Sequence, residues 1–298
     1  MATAFLLLMG QPASAEVLRV CLDENIPLYS VHRGGIASGF DLAVADAVAR
    51  RLGRTLAVQW FESKLDEESS SALAANALMS DGKCELVGGY AMVRDALGKP
   101  GAETARLPDH AGARPADRPR AVPLGTLVPS RPYHYAALTV VLGPGAASRL
   151  VRGLADLEGV RIGAERGTLA DAALMLFDGG RLIRWITHVV PGRGELIPRL
   201  EAGDFDAILV ELRRFDAHRA ANPATRLAAS GYYYPVGFNM GFVGLSTRQA
   251  LIDQVNQAID GLVKENELPA LARAVGLTYL PPREPAVREK LSLDDLRK

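Results

Sequence analysis

Between residues 38 and 54, in SGFDLAVADAVARRLGR, the apolar residues Leu42, Val44, Ala45, Val48, Ala49 and Leu52 recur at steps of three and four, with charged residues filling the gaps. That spacing predicts one amphipathic helix. Asp41 is the expected N-cap and Gly53 the left-handed residue that closes the last turn, while Arg50, Arg51 and Arg54 place positive charge at the negative end of the helix dipole. VLRVCL (17–22), LAVQWF (56–61) and CELVGGY (84–90) are rich in branched and aromatic residues and read as strands. The stretch LDEESSSALAANALMSDGK between the last two reads as a second helix closed at Gly82. Strands and helices alternating through short connections predict a parallel sheet with right-handed crossovers, and such α/β sheets bind ligands at the carboxyl ends of their strands. The loops after Leu22, Phe61 and Gly89 are therefore the first candidate positions, and they bring forward Asp23, Tyr29, Phe61, Gly89 and Tyr90.

Residues 95–125 carry five prolines and almost no periodicity, which predicts a long surface insertion or lid. A second α/β series follows. SRPYHYAALTVVLG (130–143) reads as a long extended segment, VRIGAERG (160–167) as a strand and turn, and TLADAALMLF as a helix. RWITHVV, ELIPRLEAGD, FDAILVEL (205–212) and RRFDAHRAAN repeat the alternation. GFNMGFVGLS (237–246) reads as a second long strand before the closing helices. A chain that leaves one α/β unit, builds another and returns has two connections between lobes, hence a hinge with a cleft. The expected division is 1–15 leader, 16–137 first part of lobe 1, 138–236 lobe 2, and 237–298 the return segment and C-terminal tail.

With 298 residues, 48% hydrophobic and 23% charged, the chain is long enough for one large or two medium domains. Lysine plus arginine equals aspartate plus glutamate at 34 each, so charge points neither to nucleic acid nor to an anionic membrane. The apolar run AFLLLMG leads to Ala13-Ser14-Ala15, a small-x-small site. This predicts an export signal cleaved after Ala15 and a periplasmic location, although no basic residue precedes the run. The two cysteines, Cys21 and Cys84, form no metal or redox spacing. A disulfide suits an oxidising compartment, yet neighbouring parallel strands would set Cys84 about three residues, roughly 10 Å, from the level of Cys21, so both states stay open.

In order and spacing, LRVCLDENIPLYS, GFDLAVADAVARRLG, SDGKCELVGG, SRPYHY, GLADLEGVRIGAERGT, LEAGDFDAILVE and GFNMGFVGLS resemble the type II periplasmic solute-binding proteins, family 3, from Val17 to about Leu280. The resemblance implies a two-lobed fold that closes on a small organic ligand, performs no chemistry, needs no cofactor, and works as a monomer with the membrane component of an ABC transporter. In relatives that bind amino acids, an arginine after the third strand and amides at a helix start in lobe 2 clamp the α-carboxylate, while an acid holds the ammonium. This assigns Arg94, Gly167 and Thr168, with Arg166 beside them, to the carboxylate, and Glu211 to the ammonium. The usual Thr-x-Thr-x-Glu-Arg run is Tyr90-Ala91-Met92-Val93-Arg94-Asp95 here, and both hydroxyls are lost. Cys21, the pair Trp60-Phe61 and Gly82-Lys83-Cys84-Glu85 further resemble binding-protein-like factors associated with periplasmic quinoprotein methanol dehydrogenases, which implies such a dehydrogenase as the alternative partner.

For most of these residues a plain structural role competes. Arg94 can be a surface residue, Glu211 can pair with Arg213 or Arg214, and Thr168 suits an N-cap without a ligand. Tyr29, Phe61, Tyr90, Tyr133 and the run Tyr232, Tyr233, Tyr234, Phe238 would line an aromatic-walled cleft, with hinge packing the alternative for the tyrosine triplet. Asp23, Glu24, Glu62, Asp66, Glu67 and Glu68 form no calcium loop, so no metal site is expected. The serines sit in no nucleophile elbow and the five histidines show no paired spacing. An acid such as Glu24 or Glu211 acting as in the cyclohexadienyl dehydratases of this fold is the remaining catalytic reading.

Overall fold

A computed structural model describes residues 16–63, 71–114, 120–193, 195–290 and 292–297. The expected leader and the acidic run Asp66-Glu67-Glu68 lie outside the described residues. The strands are β1 (Val17–Asp23), β2 (Asn25–Ile26), β3 (Ser30–Arg33), β4 (Ile36–Ser38), β5 (Thr55–Glu62), β6 (Leu86–Ala91), β7 (Thr104–Arg106), β8 (Asp109–His110), β9 (Ala121–Pro123), β10 (Leu127–Leu142), β11 (Ile162–Glu165), β12 (Ile186–Val189), β13 (Ala207–Glu211) and β14 (Ala228–Leu245). The α-helices are α1 (Phe40–Arg51), α2 (Ser71–Ser80), α3 (Leu169–Leu176), α4 (Leu196–Glu201), α5 (Leu212–Ala221), α6 (Gln249–Lys264), α7 (Glu267–Ala274) and α8 (Leu293–Leu296). Among them no helix is long and apolar enough to cross a membrane.

The main sheet runs β12-β11-β13-β10-β14-β6-β1-β5-β8 without a break. Lobe 1 is the parallel set β5, β1, β6, and lobe 2 the parallel set β12, β11, β13. The long antiparallel pair β10 and β14 joins them: Leu138–Leu142 of β10 pair with β13, and Met240–Gly244 of β14 pair with β6. The crossover strands thus belong to both lobes, and β14 begins nine residues before the expected GFNMGFVGLS.

Each lobe buries both faces of its sheet. In lobe 1, Leu18, Val20, Leu22, Val44 and Val48 pack with Ile252, Val255, Ile259 and Leu262 of α6 on one face, and Cys21, Leu78, Val87 and Val243 fill the other. In lobe 2, Leu138, Val140, Ile162, Leu174 and Leu209 fill one face, and Leu200, Phe205, Ile208, Val210 and Phe215 the other. Cys21 and Cys84 are bonded, with Cα atoms 5.6 Å apart. The strand register places Cys21 opposite Val87, as expected, but Cys84 precedes the start of β6. The chain is not yet running along the strand there, so the strand spacing does not set its distance from Cys21.

Two expectations are corrected. Asp41 is not the N-cap of α1: Gly39 is, because the carbonyls of Leu28 and Tyr29 in the preceding loop accept from the amides of Phe40 and Asp41, each at 2.8 Å. Gly39 has φ 128, and a Cβ there would collide with the Tyr29 carbonyl. The C-terminal end matches, with Gly53 left-handed and the amide of Arg54 bonded to Ala49 O at 2.9 Å. The insertion is not a bare loop. β8 pairs with the edge of β5, β7 pairs with β9, and Leu107 and Val122 are buried in the lobe 1 core.

The chain does not end after its return to lobe 1. Thr278 bonds through its amide and hydroxyl to the fully buried Asp216 of α5 at 2.7 and 3.0 Å. Leu280 O accepts from Tyr135 N in the crossover, and the Asn239 side chain holds Arg283, Pro285 and Ala286 through four hydrogen bonds. Arg288 then bonds along Met92 and Arg94 of lobe 1, with Val287 packed against that core. Finally Leu296 is buried in the lobe 2 core, its carbonyl accepting from Tyr234 Oη. Residues 278–290 and 292–297 therefore form a strap lying across both lobes.

Candidate functional site

β11 and β13 are parallel neighbours that end at Glu165 and Glu211, and α3 and α5 start just beyond them. Together with the middle of both crossover strands they line a partly open cavity of about 160 Å³. Its walls are mainly apolar: Ala136, Leu138, Leu169, Ala170, Val236 and Phe238. Its charged lining residues are Glu165, Glu211 and Arg214. Glu165 is buried. It accepts from the Gly192 amide at 2.9 Å and from the Arg214 guanidinium. Burial alone would raise its pKa, but these donors outweigh burial and hold the carboxyl below its ordinary value. Glu211 accepts from Arg213 at 2.6 Å.

Arg213 also reaches the other lobe. Its guanidinium donates to Pro27 O at 3.3 Å and lies over the Tyr29 ring, 5.2 Å from its centroid. Tyr29, Ala136, Ala137, Glu211 and Arg213 line a smaller void between the lobes together with His134. Burial pushes the Tyr29 phenol above its ordinary value and His134 down to about 4. The Nδ1 of His134 is buried without a hydrogen-bond partner among the described residues. Beside it, Tyr133 Oη donates to the buried carboxylate of Asp41 at 2.8 Å and accepts from the Gly89 amide at 2.8 Å. Gly89 has φ 66, and a Cβ there would collide with Asp41. Burial pushes Asp41 up to about 6, against the opposing pull of Tyr133 and Arg213.

Of the residues expected at the site, Thr168, Glu211 and Phe238 line the larger cavity, and Tyr29 and Glu211 the smaller one. Thr168 is the N-cap of α3 and accepts from Asp171 N at 3.1 Å. Its own amide bonds to Glu165 O and that of Gly167 to the Asp171 carboxylate, so the uncommitted amides at this helix start are those of Leu169 and Ala170. Arg166 is exposed. Arg94 pairs with Glu289 of the strap at 3.1 Å and lines neither cavity. Asp23 spends its two oxygens on the amides of Asn25 and Ser63. Phe61 and Tyr90 pack inside lobe 1, the latter bonding Ala96 O at 2.6 Å. Glu24 lines neither cavity. The tyrosine triplet packs on lobe 2 clusters, so Phe238 supplies the aromatic ring in the lining of the larger cavity. Glu165 and the alanines of β10 were missed, although Glu165 ends a strand that the sequence does predict. The same carboxyl-end rule that selected Asp23 could have found it.

No family model and no curated protein matches the sequence. Solved structures do. Substrate-binding domain 2 of Lactococcus lactis GlnP, in its open conformation, aligns with a TM-score of 0.63 at 16% identity, over 90% of this chain and 98% of its own. The chain has the fold of the two-lobed solute-binding domains. The unliganded, open L-cystine solute receptor of Neisseria gonorrhoeae gives a TM-score of 0.63 at 16% identity, over 90% and 96%. The second substrate-binding domain of an amino acid ABC transporter from Streptococcus pneumoniae gives 0.61 at 14%, over 88% and 100%.

Proposed function

We propose that this chain is an exported, monomeric solute-binding protein that serves an ABC transporter, closing its lobes on a small organic ligand and carrying out no chemistry on it. The observation that carries this reading is the cavity at the carboxyl ends of β11 and β13, floored by the two strands about which the lobes move. Beside it, at the smaller void that shares Ala136, Ala137 and Glu211, Arg213 joins lobe 2 to Pro27 and Tyr29 of lobe 1. A ligand touching both sides binds the closed state selectively and so shifts the population toward closure.

The test is a thermal-shift screen of the purified protein against amino acids, organic acids, uncharged ring compounds, quinone cofactors and metal ions. A shift of several degrees for one compound class supports the receptor reading, because a ligand that binds only the folded state raises its stability. No shift with any compound overturns it. The alternative resting on Cys21, Trp60-Phe61 and Cys84, an accessory factor for a quinoprotein dehydrogenase, would then be tested by co-purification with that enzyme.

A further inference from the structure

Resting on the reading of β10 and β14 as a hinge between lobes, we infer that Arg213 is a built-in latch, whose guanidinium fills a seat made by both lobes and holds them together before any ligand arrives. The seat has three walls. The Glu211 carboxylate of lobe 2 accepts from the guanidinium at 2.6 Å, the Pro27 carbonyl of lobe 1 accepts at 3.3 Å, and the centroid of the Tyr29 ring lies 5.2 Å from the guanidinium carbon. An anion, a carbonyl oxygen and the negative face of an aromatic ring all select a cation. A planar cation that stacks on the ring and donates from its edge is a guanidinium. Ion pairs of fully hydrated arginines contribute little, but the Arg213 side chain is only 17% exposed.

Two further observations set this contact apart. Pro27 and Tyr29 flank Leu28, a residue with a side chain held left-handed at φ 69, in a turn closed by the Tyr29 amide on Ile26 O at 3.0 Å. That conformation costs backbone energy which the surroundings must offset, and the turn brings the carbonyl and the ring to one guanidinium. On the other side, Asp216 lies one turn beyond Arg213 on α5 and holds Thr278, just past α7 of lobe 1, through two hydrogen bonds. Ala220, a further turn on, lies against Gly276, where an added Cβ would come within 3.6 Å of it. Residues 213, 216 and 220 share a helix face, so α5 presents one stripe to lobe 1, with Arg213 at the end beside the cavities. Glu211 lines both cavities. A ligand donor that engages it in the larger one therefore acts on the partner of the latch.

The test uses the full chain without ligand, with spin labels on α6 and α4 reporting the distance between lobes. Arg213→Ala is expected to move the distribution to longer distances. Arg213→Met, which keeps an apolar stem over Tyr29 without charge or donors, is expected to do the same. Arg161→Ala, which breaks a pair with Asp206 made wholly inside lobe 2, is expected to leave it unchanged. Ethylguanidinium, the fragment that Arg213→Ala deletes, is expected to restore the wild-type distribution in that variant, and ethylammonium to fail. A distribution unchanged in both Arg213 variants overturns the latch, as does an equal shift with Arg161→Ala. Rescue by neither cation, or equally by both, overturns the guanidinium seat. The solute-binding reading is judged separately, by whether a compound found in the thermal-shift screen shifts the same distances.

Discussion

Asp41 and His134 lie on either side of Tyr133 at the hinge and titrate in opposite senses. The folded state holds the Asp41 proton up to about pH 6, against 3.8 for the free group, so its contribution to stability falls as pH rises through that interval. The folded state releases the His134 proton at about 4, against 6.5, so its contribution grows as pH rises from about 4 to 6.5. The two slopes oppose one another in the wild type, and single variants should expose them. Asp41→Asn is expected to make the urea midpoint climb more steeply between pH 4 and 6.5 than in the wild type. His134→Phe is expected to make it fall relative to the wild type. Each change is on the order of 3 kcal/mol across its interval, from about two pKa units apiece. Equal slopes in all three proteins would show that neither group titrates as described. Neither role was legible in the sequence. The helical pattern nominates Asp41 as a cap, and only the fold shows that backbone carbonyls take the first amides and turn its carboxylate inward to Tyr133.

At the scale of elements, period and punctuation carried the reading far. The helix at 40–51, the parallel strands and the crossover pair all follow from apolar spacing and glycine stops, because each is a regular element with one or two buried faces. The insertion was not legible, since strands of two or three residues are too short to show a period and are held by single buried residues such as Leu107 and Val122. The disulfide was undecided for a related reason: strand geometry fixes distances only inside strands. With its ends 63 residues apart in sequence, that bond is expected to contribute about 4 kcal/mol, read as the fall in urea stability of Cys21→Ala/Cys84→Ala. At the helix that opens onto the cavity, Thr168→Ala is expected to cost about 1 kcal/mol in the same measurement through loss of the cap. The strap was equally hidden, because Leu296 follows a charged, irregular stretch and only its burial in lobe 2 marks it as core. Leu296→Ala is expected to cost about 2 to 4 kcal/mol, and a cost below 0.5 would show the strap's end to be loosely held.

For the whole molecule, the strap adds a connection between lobes beyond the two crossover strands, and it is made of discrete hydrogen bonds to Asp216, Tyr135, Asn239, Met92 and Arg94. The hinge motion about β10 and β14 proposed above would move these anchors relative to one another. Truncation after Leu280 is therefore expected to broaden the distribution of distances between spin labels placed on α6 and α4. An unchanged distribution would show that the crossover strands alone set the hinge. The strap has one more effect, on when folding can finish. Val287 packs on the lobe 1 core and Leu296 is buried in that of lobe 2, so neither core is complete until residues 287–296 have been synthesised, and contacts between residues so far apart in sequence are slow to form. A chain built this way leaves both cores open until the strap docks, so the two lobes reach their final stability together and not one after the other.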